Sequence, residues 1–341
     1  MKKKFLCLLL GIVLCLSFVL PLYAIDGTII ADDNATLITP LEITNVPTGA
    51  AAVAHNLTTN QTYYYRINGN ILPSNNNENL SEPGWMPESH SIDGVIGDDN
   101  RELVSNTQVT PFSAIAYVLL AFPDQTTSCA TATMISPNVA ITAAHNLYCR
   151  EKGGWATTVL VCPGTYGFWN MPTMPWGGAP ATEIAISIPA FEDESEADGV
   201  NCDWGVIHVS TNIGYNSGYL GFQCIALNPQ NYSIMISGYP ADLNDANFTT
   251  TQYMGYGFIT NDASSSITAT NNTSYENRIL SHNVDATDGQ SGSPILYTVN
   301  NQIIGIYTAG VSSSGVYYKN IGFGLKSEVF HFLLSYKSNY L

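Results

Sequence analysis

Short apolar runs separated by turn residues fill the chain after Val95. Each run is a few residues long, is rich in β-branched and aromatic residues, and is bounded by Gly, Pro, Asn or Asp, as strands commonly are. The runs are residues 116–122, 139–143, 157–161, 184–188, 204–209, 234–237 and 303–308. Near the C-terminus the pattern changes, because Val329, Phe330, Leu333 and Leu334 have the spacing of one helix face. The sequence therefore predicts an all-β fold, a barrel or a sandwich, with a short C-terminal helix.

The N-terminal segment has the three parts of a secretory signal. Lysines occupy positions 2–4, residues 5–20 are apolar, and Ala24 is the small residue after which cleavage is expected. An uncleaved membrane anchor is the alternative, but the apolar run is shorter than the roughly 20 residues that a spanning helix needs. We therefore expect a secreted chain in which residues 1–24 are a signal peptide, with no stable membrane association once the signal is removed.

Residues 25–94 are rich in Asn, Thr and Pro. They include the stretch PSNNNEN at residues 73–79, which has too few apolar side chains to build a core. We interpret residues 25–94 as a propeptide, with a linker or stalk that has no processing role as the alternative. A single folded unit over residues 95–341 then remains.

The charge balance restricts the partners of the chain. It has 11 basic and 27 acidic residues, a formal net charge of −16, and three of the lysines leave with the signal. Nucleic acid and anionic lipid are excluded as partners, because both require clustered Lys or Arg. The acidic run at residues 192–198 has oxygen ligands for calcium but not the spacing and glycine of a calcium loop, which favours a solvated surface loop. We expect no metal and no other cofactor.

Five cysteines remain after signal removal, in a chain bound for an oxidising compartment. They are Cys129, Cys149, Cys162, Cys202 and Cys224. An odd number cannot all pair, and no spacing matches a C-x-x-C metal or redox motif. Structural disulfides together with one free or buried thiol are therefore expected.

The strongest chemical motif is DGQSGSP at residues 288–294. Glycines on both sides of Ser291 permit a sharp turn and let main-chain N–H groups point toward a developing oxyanion. The N–H groups of Gly289 and Ser291 are the candidate donors. Taken alone, the motif fits a flexible loop equally well. A nucleophilic serine also needs a positioned base, usually a histidine that is held by a carboxylate.

His145 is the candidate base. It ends the segment VAITAAH at residues 139–145, an apolar strand that delivers the imidazole into a turn of small residues upstream of Ser291. The other five histidines lack such a flank, and an isolated histidine is more often a structural or solvated residue.

Asp203 is the candidate carboxylate, at the start of the segment DWGVIHV. An Asp that opens a strand is commonly only a turn residue. Strand alternation, however, places Asp203 on the same face as Ile207 and Val209, where it could lie partly buried beneath an imidazole. The chain order of His145, Asp203 and Ser291 is the chymotrypsin order, which neither subtilisin nor the α/β-hydrolases share.

From Val95 to its C-terminus the chain resembles the glutamyl endopeptidases, the V8-like branch of the trypsin fold from bacteria. The resemblance rests on residues 95–101 (VIGDDNR), 143–145 (AAH), 203–205 (DWG), 236–240 (ISGYP) and 289–294 (GQSGSP). It implies a chymotrypsin-like fold of two six-stranded β-barrels, with the active site in the cleft between them and a closing C-terminal helix.

The resemblance also implies a trypsin-like serine protease domain over residues 95–341. Its triad maps onto His145, Asp203 and Ser291, and its oxyanion hole onto Gly289 and Ser291. Protein or peptide substrates follow from this activity, and we expect a secreted bacterial monomer.

The residue after the catalytic histidine departs from the family pattern. In many relatives a Cys stands there and is bridged to the preceding strand, whereas here Asn146 follows His145. The family pattern still predicts a disulfide between Cys129 and Cys149, provided that the loop absorbs an offset of a few residues. The partners of the remaining cysteines stay unassigned.

The second departure concerns the primary specificity pocket. Relatives that cut after Glu place a His on the strand lining this pocket, assisted by the new N-terminal amine, which here belongs to Val95. Tyr307 stands at that position, and its phenol donates a hydrogen bond but brings no positive charge. Asp285 lies six residues before Ser291, where trypsin has the acid that selects Arg or Lys, although some Glu-specific relatives also carry an acid nearby. We thus expect substrate contacts from Val95, Tyr307 and Asp285. Two alternatives stay open for the residue before the cut, a preference for Glu or Asp and a preference for another residue.

Thr308, Ala309 and Gly310 are expected to form the strand edge that pairs with the substrate backbone. The resulting prediction is a serine endopeptidase that works through an acyl-enzyme. The alternative is a catalytically weak or inactive binding or adhesion module that has kept the fold. The presence of all three triad residues favours the enzyme.

Overall fold

The structure is a computed structural model, and it describes residues 46, 48–66, 94–192, 202–225, 228–269, 272–313 and 316–340. The predicted signal peptide and most of the predicted propeptide lie outside these residues. So does most of the acidic run at residues 192–198.

Strands are the main regular structure of the described residues. The first three are β1 (Ala50–Asn56), β2 (Gln61–Arg66) and β3 (Glu102–Leu103). They are followed by β4 (Ile115–Ala121), β5 (Thr127–Met134), β6 (Val139–Thr142), β7 (Tyr148–Cys149), β8 (Gly154–Trp155), β9 (Thr158–Pro163), β10 (Tyr166–Phe168), β11 (Met171–Thr173), β12 (Ala179–Ser187) and β13 (Gly205–Val209). The remaining strands are β14 (Ser233–Gly238), β15 (Tyr253–Thr268), β16 (Ser274–His282), β17 (Pro294–Tyr297), β18 (Gln302–Ser313) and β19 (Val316–Gly324).

The helices are short, apart from the last one. They are α1 (Ile188–Glu192), α2 (Gly214–Ser217), α3 (Ala241–Asn247) and α4 (Ser327–Ser338), with single 3-10 turns at Phe112–Ala114, Ala144–Asn146 and Arg150–Lys152. Within the described residues, no helix combines the length and the apolar character that crossing a membrane requires.

The first barrel is closed by six strands in the order β13-β6-β5-β4-β9-β12, because β12 also pairs with β13. Its interior is filled by side chains from the inward face of each strand, since alternate residues of a strand point to opposite faces. Buried examples are Val118, Leu120, Met134, Ile141 and Ile184.

The second barrel has the order β14-β17-β18-β19-β16-β15 and closes through the pairing of β14 with β15. Ile234, Ile236, Ile259, Leu280 and Ile295 are fully buried within it. The predicted double six-stranded β-barrel is therefore confirmed. Each apolar run that was predicted to be a strand coincides with one.

The predicted C-terminal helix is α4, and its buried face is rotated from the expected one. Val329, Phe332, Leu333 and Tyr336 are buried, whereas Phe330 and Leu334 are only partly buried. Aromatic residues beyond the apolar i, i+4 pattern thus contribute to the packed face.

A hairpin within the expected propeptide was not predicted. β1 pairs with β2, and β1 also adds to the first barrel by pairing with β12, from Ala52 opposite Ser187 to Asn56 opposite Glu183. Ala50–Ala54 are buried at the contact. A run of alanines lacks the β-branched residues that mark a strand, so the sequence pattern did not reveal β1.

Candidate active site

His145 lies in the 3-10 turn that follows β6. Its main-chain N–H donates to Asp203 Oδ1 at 3.1 Å, and its ring Nδ1 lies 2.7 Å from Asp203 Oδ2. The side chain of His145 is 42% exposed and that of Asp203 only 2%. The Asp203 carboxylate is thus shielded from water, whereas the other side of the His145 ring is open to the solvent.

The strand register brings Asp203 to this position. β13 pairs with β6, with Gly205 opposite Thr142, so the residues just before β13 lie beside the turn that follows β6. A carboxylate can only accept from the ring, so Nδ1 carries the proton and Nε2 is left with a lone pair. This is the tautomer that a general base requires.

Ser291 lies in the loop between β16 and β17. It is 9% exposed, and its Oγ donates to the main-chain oxygen of Thr308 at 3.3 Å. Two neighbouring glycines have positive φ, +85° at Gly289 and +90° at Gly292. A Cβ at Gly292 would overlap with Thr131 O, so a larger residue cannot follow the serine without moving β5.

β5 of the first barrel is hydrogen-bonded to the loop of the second barrel that contains Ser291. The main-chain N–H of Thr131 donates to Ser291 O at 3.1 Å, and its hydroxyl donates to Gly289 O at 2.8 Å. The same hydroxyl accepts from Tyr239 N at 3.1 Å. One buried threonine therefore ties together both barrels and the loop.

Asn146 is a further link that the sequence analysis did not assign. Its Nδ2 donates to Ser291 O at 2.9 Å and to Thr142 Oγ1 at 3.0 Å. The side chain next to His145 is thus bonded to the residue that carries the candidate nucleophile. The departure from the family pattern at this position was the only signal in the sequence.

The candidate oxyanion donors lie on a tight turn. Gln290 N donates to Thr287 O at 3.0 Å, and Ser293 N donates to Gln290 O at 2.8 Å. These bonds fix the orientation of successive peptide groups around Gly289 and Ser291.

Arg101 is a second residue that the sequence analysis missed. Its side chain is fully buried, and its Nη2 lies 2.8 Å from Asp99 Oδ2 and 2.6 Å from Asp242 Oδ2. Its Nη1 donates to Thr287 Oγ1 at 2.7 Å and reaches Gln290 Oε1 at 3.4 Å. The hydrogen bonds from Arg101 hold the pKa of Asp99 below its usual value. A buried guanidinium therefore supports the turn that precedes Ser291.

Asp285, which was predicted to contact substrate, is bonded to the segment around Val95. It is fully buried, and its two oxygens accept from Ile96 N at 2.7 Å and Asn100 N at 3.0 Å. Asn320 Nδ2 donates to Gly94 O at 3.0 Å. Asp285 therefore anchors the segment that contains Val95, because each of its oxygens accepts from a backbone N–H of that segment.

Tyr307 is fully buried on β18. Its N–H donates to Ser293 O at 2.8 Å, and its hydroxyl reaches Ala286 O at 3.5 Å. The ring of His282 lies 5.7 Å from that of Tyr307, and burial lowers the pKa of His282 to about 3. His282 is consequently uncharged at neutral pH and adds no positive charge beside Tyr307.

The predicted substrate-binding edge lies on the same strand. β17 pairs with β18 only as far as Ile306, and a bulge at Thr308 interrupts the pairing with β19. Beyond Ile306, the side of β18 that faced β17 has no strand neighbour in the described part of the chain. Thr308, Ala309 and Gly310 thus lie along an open strand edge next to Ser291.

The predicted disulfide between Cys129 and Cys149 is not formed. Both are free thiols. Cys129 lies on β5 and Cys149 on the short strand β7.

Comparisons with known proteins agree with the fold. The Peptidase S7 family, described as Flavivirus NS3 serine protease, matches residues 237–325, which include Ser291. Among solved structures, that of a Glu endopeptidase in complex with MPD has a TM-score of 0.58 and 29% identity, and the match covers 71% of this chain and 98% of that one.

Two curated relatives cover most of the chain. A glutamyl endopeptidase of Bacillus licheniformis is 29% identical over 257 residues, 73% of this chain and 71% of that protein. An extracellular metalloprotease of Bacillus subtilis strain 168 is 26% identical over 242 residues, 70% of this chain and 67% of that protein. The described ranges contain no group of three His, Cys, Asp or Glu side chains placed to hold a metal ion. The double barrel and these relatives together show that the chain is a serine endopeptidase of the chymotrypsin fold, similar to the V8-like glutamyl endopeptidases.

Proposed function

We propose that the chain hydrolyses peptide bonds with a triad of His145, Asp203 and Ser291. The observation that carries the proposal is the 2.7 Å contact between His145 Nδ1 and the buried Asp203 carboxylate. This contact sets the tautomer and orientation of the ring, and it stabilises the imidazolium that forms when the ring accepts a proton.

The reaction has two steps. In the first, Nε2 of His145 removes the proton from Ser291 Oγ as the oxygen attacks the carbonyl carbon of the scissile bond. The main-chain N–H groups of Gly289 and Ser291 stabilise the resulting oxyanion. His145 then gives the proton to the leaving amine, and an acyl-enzyme remains. In the second step His145 activates a water molecule, which releases the acid and regenerates Ser291.

The substrate backbone is proposed to pair with Thr308, Ala309 and Gly310. The open edge of β18 supports this, since an extended peptide can add there as a further strand. Such pairing would place the scissile carbonyl beside Ser291, whose Oγ already lies 3.3 Å from Thr308 O.

We infer a preference for Glu or Asp before the cut. The glutamyl endopeptidase among the relatives supports this by its name. Tyr307 and the uncharged His282 supply no cation, so the positive charge in the pocket would come from the α-amine of Val95 once it is released. The Tyr307 hydroxyl would serve as a neutral hydrogen-bond donor.

We further propose that the chain matures outside the cell. Residues 1–24 would leave as the signal and residues 25–94 would be cut from the enzyme, so that residues 95–341 form a secreted, monomeric protease domain. N-terminal sequencing of secreted protein tests this. New termini at Ile25 and Val95 are expected, whereas an active form that is still continuous from Ile25 contradicts the processing step.

Labelling with a fluorophosphonate tests the chemistry. Mature protein should be labelled at Ser291, and the Ser291→Ala variant should fold normally but lose labelling and peptidase activity. Ser293→Ala is the matched control, because Ser293 lies two residues away in the same loop. Absent labelling of mature wild-type protein would favour a binding module. Cleavage of a peptide library tests the preference for acidic residues separately.

A further inference from the structure

The β1–β2 hairpin contacts three parts of the protease domain. β1 forms an antiparallel ladder with β12, and Leu57 N donates to Thr182 O at 2.9 Å beyond the end of that ladder. The imidazole of His55 stacks on Trp155, with the ring centroids 5.5 Å apart. The hairpin thus extends the first barrel and also covers its neighbouring loop.

The second barrel holds the start of the hairpin. Tyr275 Oη donates to Ala50 O at 2.6 Å, and Gly49 N donates to Thr273 Oγ1 at 3.0 Å. Both contacts are made by the β15–β16 hairpin, so β1 lies where the two barrels meet.

A buried carboxylate connects the hairpin to the C-terminal helix. Glu183 Oε1 accepts hydrogen bonds from Tyr65 at 2.9 Å, Tyr336 at 2.8 Å and Tyr340 at 2.8 Å. Tyr65 also packs edge-on against Tyr336 and Phe332. Without Tyr65, a carboxylate that is 4% exposed would lose one of its three donors and its cover.

All of these contacts lie within residues 48–66, and residues 67–93 separate the hairpin from Gly94. A cut before Val95 would therefore break the covalent connection and none of the contacts. We propose that the hairpin remains bound to the mature enzyme as a non-covalent chain that adds two strands to its first barrel, an inference that rests on the proposed processing before Val95.

An engineered cut tests retention independently of natural processing and of peptidase activity. A recognition site for a specific exogenous protease is placed within residues 67–93 of the full-length Ser291→Ala protein, which is then cut. Native gel filtration with intact mass measurement should show both fragments in one peak, and denaturant should separate them. Elution of the large fragment without the small one in native buffer would overturn the inference. Because the readout is association of the fragments, an inactive wild-type protein would contradict the proposed function but not the retention of the hairpin.

Two variants test how the hairpin is held. At pH 8, where Glu183 is ionised, Tyr65→Phe should accelerate its exchange with a labelled peptide of the hairpin sequence by roughly tenfold or more, since a hydrogen bond to a charged group is lost. Tyr63→Phe is the control, because the Tyr63 hydroxyl makes no hydrogen bond in the described part of the chain, and its exchange rate should match that of the unmodified hairpin. Equal rates for the two variants would contradict the role of Glu183. Ala52→Asp, at a fully buried position of β1, should abolish retention.

Discussion

Asn146 and Ser291 are joined by a hydrogen bond from Asn146 Nδ2 to the serine carbonyl oxygen, 2.9 Å long and buried. Asn146 follows the candidate base, and Thr142, its other partner, ends the strand that precedes the turn with that base. The link therefore runs from the histidine turn of the first barrel to the serine loop of the second. We therefore expect Asn146 to act as a positioning residue, which sets the relative position of His145 and Ser291.

Replacing Asn146 with Ala or Asp should lower kcat by about 10- to 100-fold with little change in KM, because the serine loop loses a donor that fixes its place. Asp keeps the shape of the side chain and loses the donor, so both variants should behave alike. Steady-state kinetics on a peptide substrate provide the measurement. Asn261→Ala, at an exposed position of β15, is the control, and an unchanged kcat in Asn146→Asp would exclude the positioning role.

Asp203→Asn should reduce kcat by about 10⁴-fold, because an amide at this position favours the wrong imidazole tautomer. The fold should persist, since Asn has nearly the same shape as Asp. Activity and circular dichroism spectra of the purified variant provide the measurement. The exposed Asp124 gives a matched control as Asp124→Asn, which should retain full activity, and an Asp203→Asn enzyme of comparable activity would remove Asp203 from the triad.

Arg101→Met should destabilise the protein by about 3 kcal/mol, because it leaves the partners of a buried guanidinium without their donor. Lys326→Met removes a longer ion pair to Glu276, 3.8 Å between charged atoms and partly exposed, and should cost less than about 1 kcal/mol. Denaturant midpoints compare the two variants. Arg101→Met should also reduce activity, because Arg101 contacts Gln290, the residue before Ser291. Similar denaturation midpoints for both variants would contradict the stabilising role of Arg101.

Glu183 should make stability depend on pH. Burial raises its pKa from 4.5 to about 7, against the lowering effect of hydrogen bonds from Tyr336 and Tyr340. The folded state then binds the proton more tightly than the unfolded state. This contribution to stability is complete below pH 4.5 and is lost as the pH rises through about 7, with a total of about 3 kcal/mol.

The test compares Glu183→Gln with the exposed control Glu102→Gln, both in the Ser291→Ala background to prevent self-digestion. The difference in unfolding free energy between pH 4.5 and pH 8 should shrink in Glu183→Gln and stay unchanged in Glu102→Gln. Equal pH dependence in the two variants would show that Glu183 titrates normally.

The barrel strands were predictable from the sequence where β-branched residues fill their buried, inward face. β4 and β13 are examples. The long hairpin of β15 and β16 was missed, because many of its residues are polar and β15 is largely exposed. β1 was missed for another reason, since its alanines become a strand only by pairing with β12.

The candidate site divides in the same way. His145 and Ser291 lie in motifs whose residue types indicate their chemistry. The structure places Asp203 beside His145. The roles of Arg101, Asn146 and Asp285 depend on contacts with residues far away in the chain, so no local pattern could indicate them. Asp285 illustrates the limit most clearly, because spacing from Ser291 suggested the substrate pocket and the fold gives its oxygens to the backbone.

The docking of the hairpin has a consequence for the order of folding. Tyr65 and Tyr340, whose hydroxyls lie 3.1 Å apart, are separated by 275 positions in sequence. Contacts of such long range form late, because the loop between them must close first. We therefore expect the hairpin to dock after β12, the β15–β16 hairpin and the C-terminal helix have assembled. The hairpin precedes both barrels in sequence but is expected to dock after them, so its docking would report that the rest of the chain has folded.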